Sequence, residues 1–98
     1  MLVEKKSQNL TVVAIKLITG EEIIARRLSD DDNHIIISRP LAMVMAENPD
    51  NPTQTRVMFT PWMVAAGKET VTLKNQHVVA VTPARTDAVD QYEQAISN

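Results

Sequence analysis

An apolar run rich in β-branched residues, Val12-Val13-Ala14-Ile15-Lys16-Leu17, is followed by a second apolar stretch, Ile23-Ile24-Ala25, framed by polar pairs in Glu21-Glu22-Ile23-Ile24-Ala25-Arg26-Arg27-Leu28. Such β-rich runs predict strands, here at about 11–18 and 21–28. Thr19-Gly20 stands between them. Gly20 can take the positive φ of a tight turn, so the two runs are expected to pair antiparallel. A polar break at Ser29–Asn33 precedes a long apolar run, His34–Ala46, in which Ile35 and Ile37 share a face. Pro40 lacks an N–H and should kink that run, after which Leu41, Met43 and Met45 line one face.

Glu47-Asn48-Pro49-Asp50-Asn51-Pro52 reads as a loop. A fourth strand is expected over about Thr55–Met63, with Val57 and Phe59 on one face and Met58, Thr60 and Trp62 on the other. Val71 and Leu73 alternate with Thr70, Thr72 and Lys74 in a short extended piece, and a fifth strand is expected over His77–Thr82, stopping at Pro83. Thr86 reads as a helix N-cap, with Asp87 and Asp90 near the positive end of the dipole. Val89, Tyr92 and Ile96 share one face of that helix. Met1–Asn9 reads as a ragged tail or one helical turn. The pattern as a whole predicts a mainly β chain. It is a single domain over 1–98: a small five-stranded antiparallel bent barrel over about 11–83 with a short C-terminal helix over about 86–97.

Composition narrows the picture. Of 98 residues, 44% are hydrophobic but only Phe59, Trp62 and Tyr92 are aromatic, so the core rests on aliphatic side chains. The net charge of −2 argues against a protein that coats duplex DNA, which needs a basic field. Absence of cysteine excludes disulfides and thiolate zinc sites and fits the cytoplasm. No apolar run approaches the length of a membrane-spanning helix. A catalytic reading lacks support: there is no cysteine nucleophile, no glycine-rich phosphate loop and no two-histidine metal motif. No cofactor is expected, and the chain is read as a non-enzyme.

The order strand, glycine turn, strand, Asp/Asn loop, long strand resembles the first half of the Sm-like fold, the family of Sm, Lsm and Hfq proteins. Its first motif is matched by Val13, Ile15, Leu17, Gly20, Ile23, Ala25, Asp31 and Asn33. Its second is similar to Leu73-Lys74-Asn75-Gln76-His77-Val78-Val79-Ala80-Val81, and Thr82-Pro83-Ala84-Arg85 resembles the exit from the last strand of Hfq. The likeness covers about residues 11–85. Ala25 stands where the family has glycine, and Lys74-Asn75 replaces its Arg-Gly pair. An extra residue before Leu28 suggests a bulge, and the helix usual before the first strand is short or missing. Phe59-Thr60-Pro61-Trp62 and the Pro-rich loop are closer to small Sm-like proteins of marine bacteriophages, including cyanophages.

The resemblance implies a homo-oligomeric ring joined through edge strands, with single-stranded RNA bound by pore-side loops, in the cytoplasm of a bacterial cell or phage-infected host. Candidate RNA-binding residues are then Asp31, Asn33, His34, Lys74 and Asn75; candidate interface residues are Val57, Phe59, Trp62, Met63, Val79 and Val81. The residues leave alternatives open. The Asp30–Asp32 run can be a solvated turn, a base contact or a cation site, and three carboxylates repel phosphate. Arg26 and Arg27 point to opposite faces, toward solvent or a neighbouring subunit. Trp62 can stack a base, anchor a partner or pack internally. The strand methionines Met43, Met45, Met58 and Met63 read as core or interface filler. A ring-forming assembly module that contacts only protein is the alternative function.

Overall fold

The structure, a computed structural model, describes residues 11–97; the Met1–Asn9 segment lies outside them. Strands β1 (Val12–Leu17) and β2 (Glu22–Asp30) form the expected hairpin, with Val13 opposite Ala25 and Ile15 opposite Ile23. Gly20 turns it with φ 98°, where any side chain would be strained. β3 (His34–Asn48) is long, β4 (Asn51–Pro61) pairs with its second half, and β5 (Thr70–Lys74) pairs with its first. A 3₁₀ turn at Asn75–His77 leads to β6 (Val78–Pro83), and helix α1 (Thr86–Ile96) ends the chain. Every pairing is antiparallel, in the order β4-β3-β2-β1-β6 with β5 on β3. This is a mainly β fold with one short C-terminal helix.

The short extended piece is thus a strand, which makes six. The reason lies in β3. Ile24 faces Leu41, but Arg26 faces Ser38, so Arg39 and Pro40 together oppose Ala25. This bulge puts Arg39 at φ 51°. The partner strand detours at the same place. β4 stops at Pro61, Trp62 N–H bonds to the Pro40 carbonyl, and Arg39 N–H bonds to the Glu69 carbonyl before β5 resumes opposite Ser38. β4 and β5 therefore act as one strand interrupted by residues 62–69.

The bulge also switches faces, because an inserted residue shifts the side-chain alternation by one. Ile35 and Ile37 point into an interior cluster with Val13, Ile15, Leu17, Ile23, Ala25 and Leu73. Leu41 and Met43, of the same parity, point to the other face, where Val12 and Ile24 meet Tyr92. The helix lies there, using Val89, Tyr92 and Ile96 as its period predicts. A second shift falls between Arg27 and Ser29, so the anticipated bulge is at Leu28.

Four local expectations are corrected. Asn51 and Pro52 belong to β4, and the turn shrinks to Pro49–Asp50 because Asn48 Oδ1 accepts the Asp50 N–H at 2.9 Å. Pro52 is tolerated because β4 is an edge. Arg85, not Thr86, occupies the N-cap position, and no side chain caps the helix there; Arg85 instead reaches Asp87. His77 belongs to the 3₁₀ turn rather than the last strand, which runs to Pro83. Arg26 is held within the chain by Glu93 at 2.9 Å, and Arg27 lies 3.5 Å from Asp30. Among the described residues no helix is long and apolar enough to cross a membrane.

Candidate nucleic-acid site

Antiparallel pairing of β3 with β5 sets His34 opposite Lys74. The loop before β3 and the turn after β5 must therefore lie side by side. Two hydrogen bonds join them: Asn75 N–H donates to the Asn33 carbonyl at 2.8 Å, and Asn75 Nδ2 donates to the Asp31 carbonyl at 3.1 Å. The structure thus brings Asp31, Asn33, His34, Lys74 and Asn75 together, although 44 positions separate Asp31 from Asn75 in sequence.

Asp31 organises the first loop. Its Oδ1 accepts the backbone N–H groups of Asn33 and His34, each at 2.8 Å. These bonds favour the charged carboxylate and, with His34 Nδ1 3.7 Å away, hold its pKa below the usual range. Asp31 Oδ1 is therefore occupied by the backbone of Asn33 and His34, and one amide donor of Asn75 is spent on the loop. The groups left to meet a ligand are the Asn33 amide, the rest of the Asn75 amide, the half-exposed His34 ring, and Lys74, which has no ion-pair partner among the described residues. Gln76 and His77 sit in the same exposed turn, their Nε2 atoms 3.5 Å apart. Both stand in the Leu73–Val81 stretch that carries the second motif of the resemblance. No three His, Asp or Glu groups among the described residues converge to hold a metal.

The interface candidates lie elsewhere. β4 and β6 end the sheet order, and neither has a strand partner on its outer side among the described residues. Val57, Met63, Val79 and Val81 are exposed on or beside them. Phe59 is half-buried against the helix-side cluster, and Trp62 against the interior cluster.

Against this geometry, the family model of the Sm-like domain matches residues 14–93, from the first strand through most of the helix. The chain belongs to the Sm-like family. A comparison with curated proteins gave no match. In this Sm-like chain the matched span contains the Asp31 loop, the Lys74 turn and both sheet edges.

Proposed function

We propose that this Sm-like protein forms a cyclic homo-oligomer that binds single-stranded RNA. The observation that carries the reading is the joined pair of loops, with Asn33, His34 and Lys74 displayed around the Asp31 turn. Lys74 would pair with phosphate, His34 would stack on a base, and the free groups of Asn33 and Asn75 would meet base edges. One lysine per subunit is a weak site, and repetition around a ring makes it effective by raising the local concentration of sites.

The ring would form by pairing the β4 edge of one subunit with the β6 edge of the next, which satisfies unpaired backbone groups. Val57, Met63, Val79 and Val81 would be covered, with Phe59 behind them. Their burial is worth about 25 cal/mol per Å² before association costs. A bacterial or phage-infected cytoplasm is the setting that the Phe59–Trp62 stretch, the Pro-rich loop and the lack of cysteine support.

A second reading, a ring that contacts only protein, is favoured by the net charge of −2 and by the exposed Val44, Met45, Val57 and Met58 near the β3–β4 turn. Light scattering with filter binding on short homopolymer RNAs separates the two. The RNA reading expects a multimeric mass and retention at moderate salt. A multimer without RNA affinity supports the protein-only ring, and a single-subunit mass at micromolar concentration rejects both.

A further inference from the structure

Beside the candidate loops lies a crevice of about 620 Å³, within the range of small-ligand sites. Its walls include Leu17, Ile18, Trp62 and Leu73, and Lys74 and His77 stand in its lining. We propose that this crevice takes one base of a single-stranded RNA by stacking on Trp62, without reading the base's hydrogen-bonding edge. The inference rests on the RNA reading above and adds to it a second, aromatic contact outside the two loops.

Three features point to a nucleotide. Trp62 is half-buried and packs against the interior cluster, so its ring is supported from within. Leu73 is buried and Ile18 is 59% exposed, so an aliphatic wall runs from the core to solvent. The cation, Lys74, stands in the same lining next to Leu73 and is the cross-strand partner of His34. An aromatic and aliphatic slot flanked by a lysine fits a ligand with a flat apolar face and a nearby anion, the two parts of a nucleotide. An apolar side chain would match the walls but bring no anion to Lys74, which forms no ion pair among the described residues although Glu21 lines the same crevice. Besides Lys74 and His77, the polar side chains of the lining are Thr19, Glu21 and Thr72, and the Thr19 hydroxyl is already donated to Glu21 at 3.2 Å, which leaves few groups to discriminate four bases. The strand would run from His34 across Lys74 into the crevice.

Trp62 is the chain's one tryptophan, so its emission reports directly on the site. The full chain is titrated with short oligo(A) and oligo(U) RNAs, following fluorescence and filter retention, with mass checked by light scattering. The expected result is saturable quenching with both RNAs, binding weakened roughly tenfold or more in Trp62→Ala, and recovery in Trp62→Phe. Ile18→Asp, at an exposed position, should weaken binding several-fold with mass unchanged, and it decides the matter if Trp62→Ala does not fold. RNA retained with no change in Trp62 emission, and bound as tightly by Ile18→Asp, overturns the crevice while leaving the loop site standing. No retention by the parent overturns both. Binding lost in Ile18→Asp only as the mass falls to one subunit means that a neighbouring copy fills the crevice, which also overturns the proposal.

Discussion

The Tyr92 hydroxyl donates to the Arg39 carbonyl at 2.7 Å, with the Ser38 carbonyl at 3.2 Å. The helix is thereby fastened to the one described non-glycine residue with positive φ. Arg39 answers in kind: its Nη1 donates to the Ile96 carbonyl at 2.9 Å, near the helix end, and its Nη2 pairs with Glu69 at 2.7 Å. Bulge, helix and the 62–69 detour meet at this point.

Burial pushes the Tyr92 pKa up to about 12. A raised pKa means that its contribution to stability is complete below the unfolded value near 10 and is lost as pH rises through the folded value. The protein should therefore lose on the order of 2 kcal/mol between about pH 10 and 12. Tyr92→Phe should be less stable by about 1 kcal/mol at neutral pH, since two bulge carbonyls lose a donor. It should also lack that alkaline component, as read by urea unfolding across pH.

Arg39→Ala and Arg39→Gly separate side-chain bonding from backbone strain. Both remove the guanidinium. The Glu69 pair is solvent-exposed and contributes little, so the Ile96 carbonyl bond accounts for most of the loss, about 1 kcal/mol. Glycine also relieves the left-handed backbone by about 1 kcal/mol. Thermal melts should then place Arg39→Gly close to the parent and Arg39→Ala clearly below it.

Lys74→Ala should weaken RNA binding and flatten its dependence on salt. Each phosphate that a lysine neutralises adds about 0.7 to the slope of log K against log salt for single strands, and the variant gives up that increment. Filter binding from low to moderate salt checks this. Equal affinity in parent and variant would remove Lys74 from the site.

Asp31 carries two separable properties, a turn-forming oxygen and a negative charge. Asp31→Asn keeps an oxygen able to accept the Asn33 and His34 N–H groups and drops the charge, so RNA affinity should rise. Asp31→Ala loses the turn and should lower affinity. Exchange of the Asn33 and His34 amides, measured by NMR, should quicken in the alanine variant only.

Val79 is 63% exposed on the β6 edge. Val79→Lys places a charge where the ring would require an apolar surface, so the multimer should dissociate while the circular dichroism spectrum stays β-rich. An unchanged mass would move the interface away from β6.

Much of the fold was legible in particular residues. The Gly20 turn and the Val89–Tyr92–Ile96 face follow from local chemistry and period, which act over a few residues and are written in order along the chain, while the bulge near Leu28 was legible only against the family's motif. Asp31 and Lys74 were legible as polar loop residues, but their roles were not. That Asp31 is occupied by backbone N–H groups and Asn75 by the Asp31 carbonyl depends on β3–β5 register.

The sequence by itself determined the β class, the order of elements and the apolar faces on either side of Pro40. The tertiary structure alone decided that those faces look in opposite directions. Leu41 and Met43 keep the parity of Ile35 and Ile37, yet the Arg39–Pro40 bulge turns them from the interior to the helix. Parity is a local property, whereas a bulge is defined by what the partner strand does opposite it. Here that partner is the Ala25 region of β2, with the 62–69 detour and Tyr92 holding Arg39 in place. The same long-range pairing joins the two candidate loops, since no local pattern links Asn33 to Asn75.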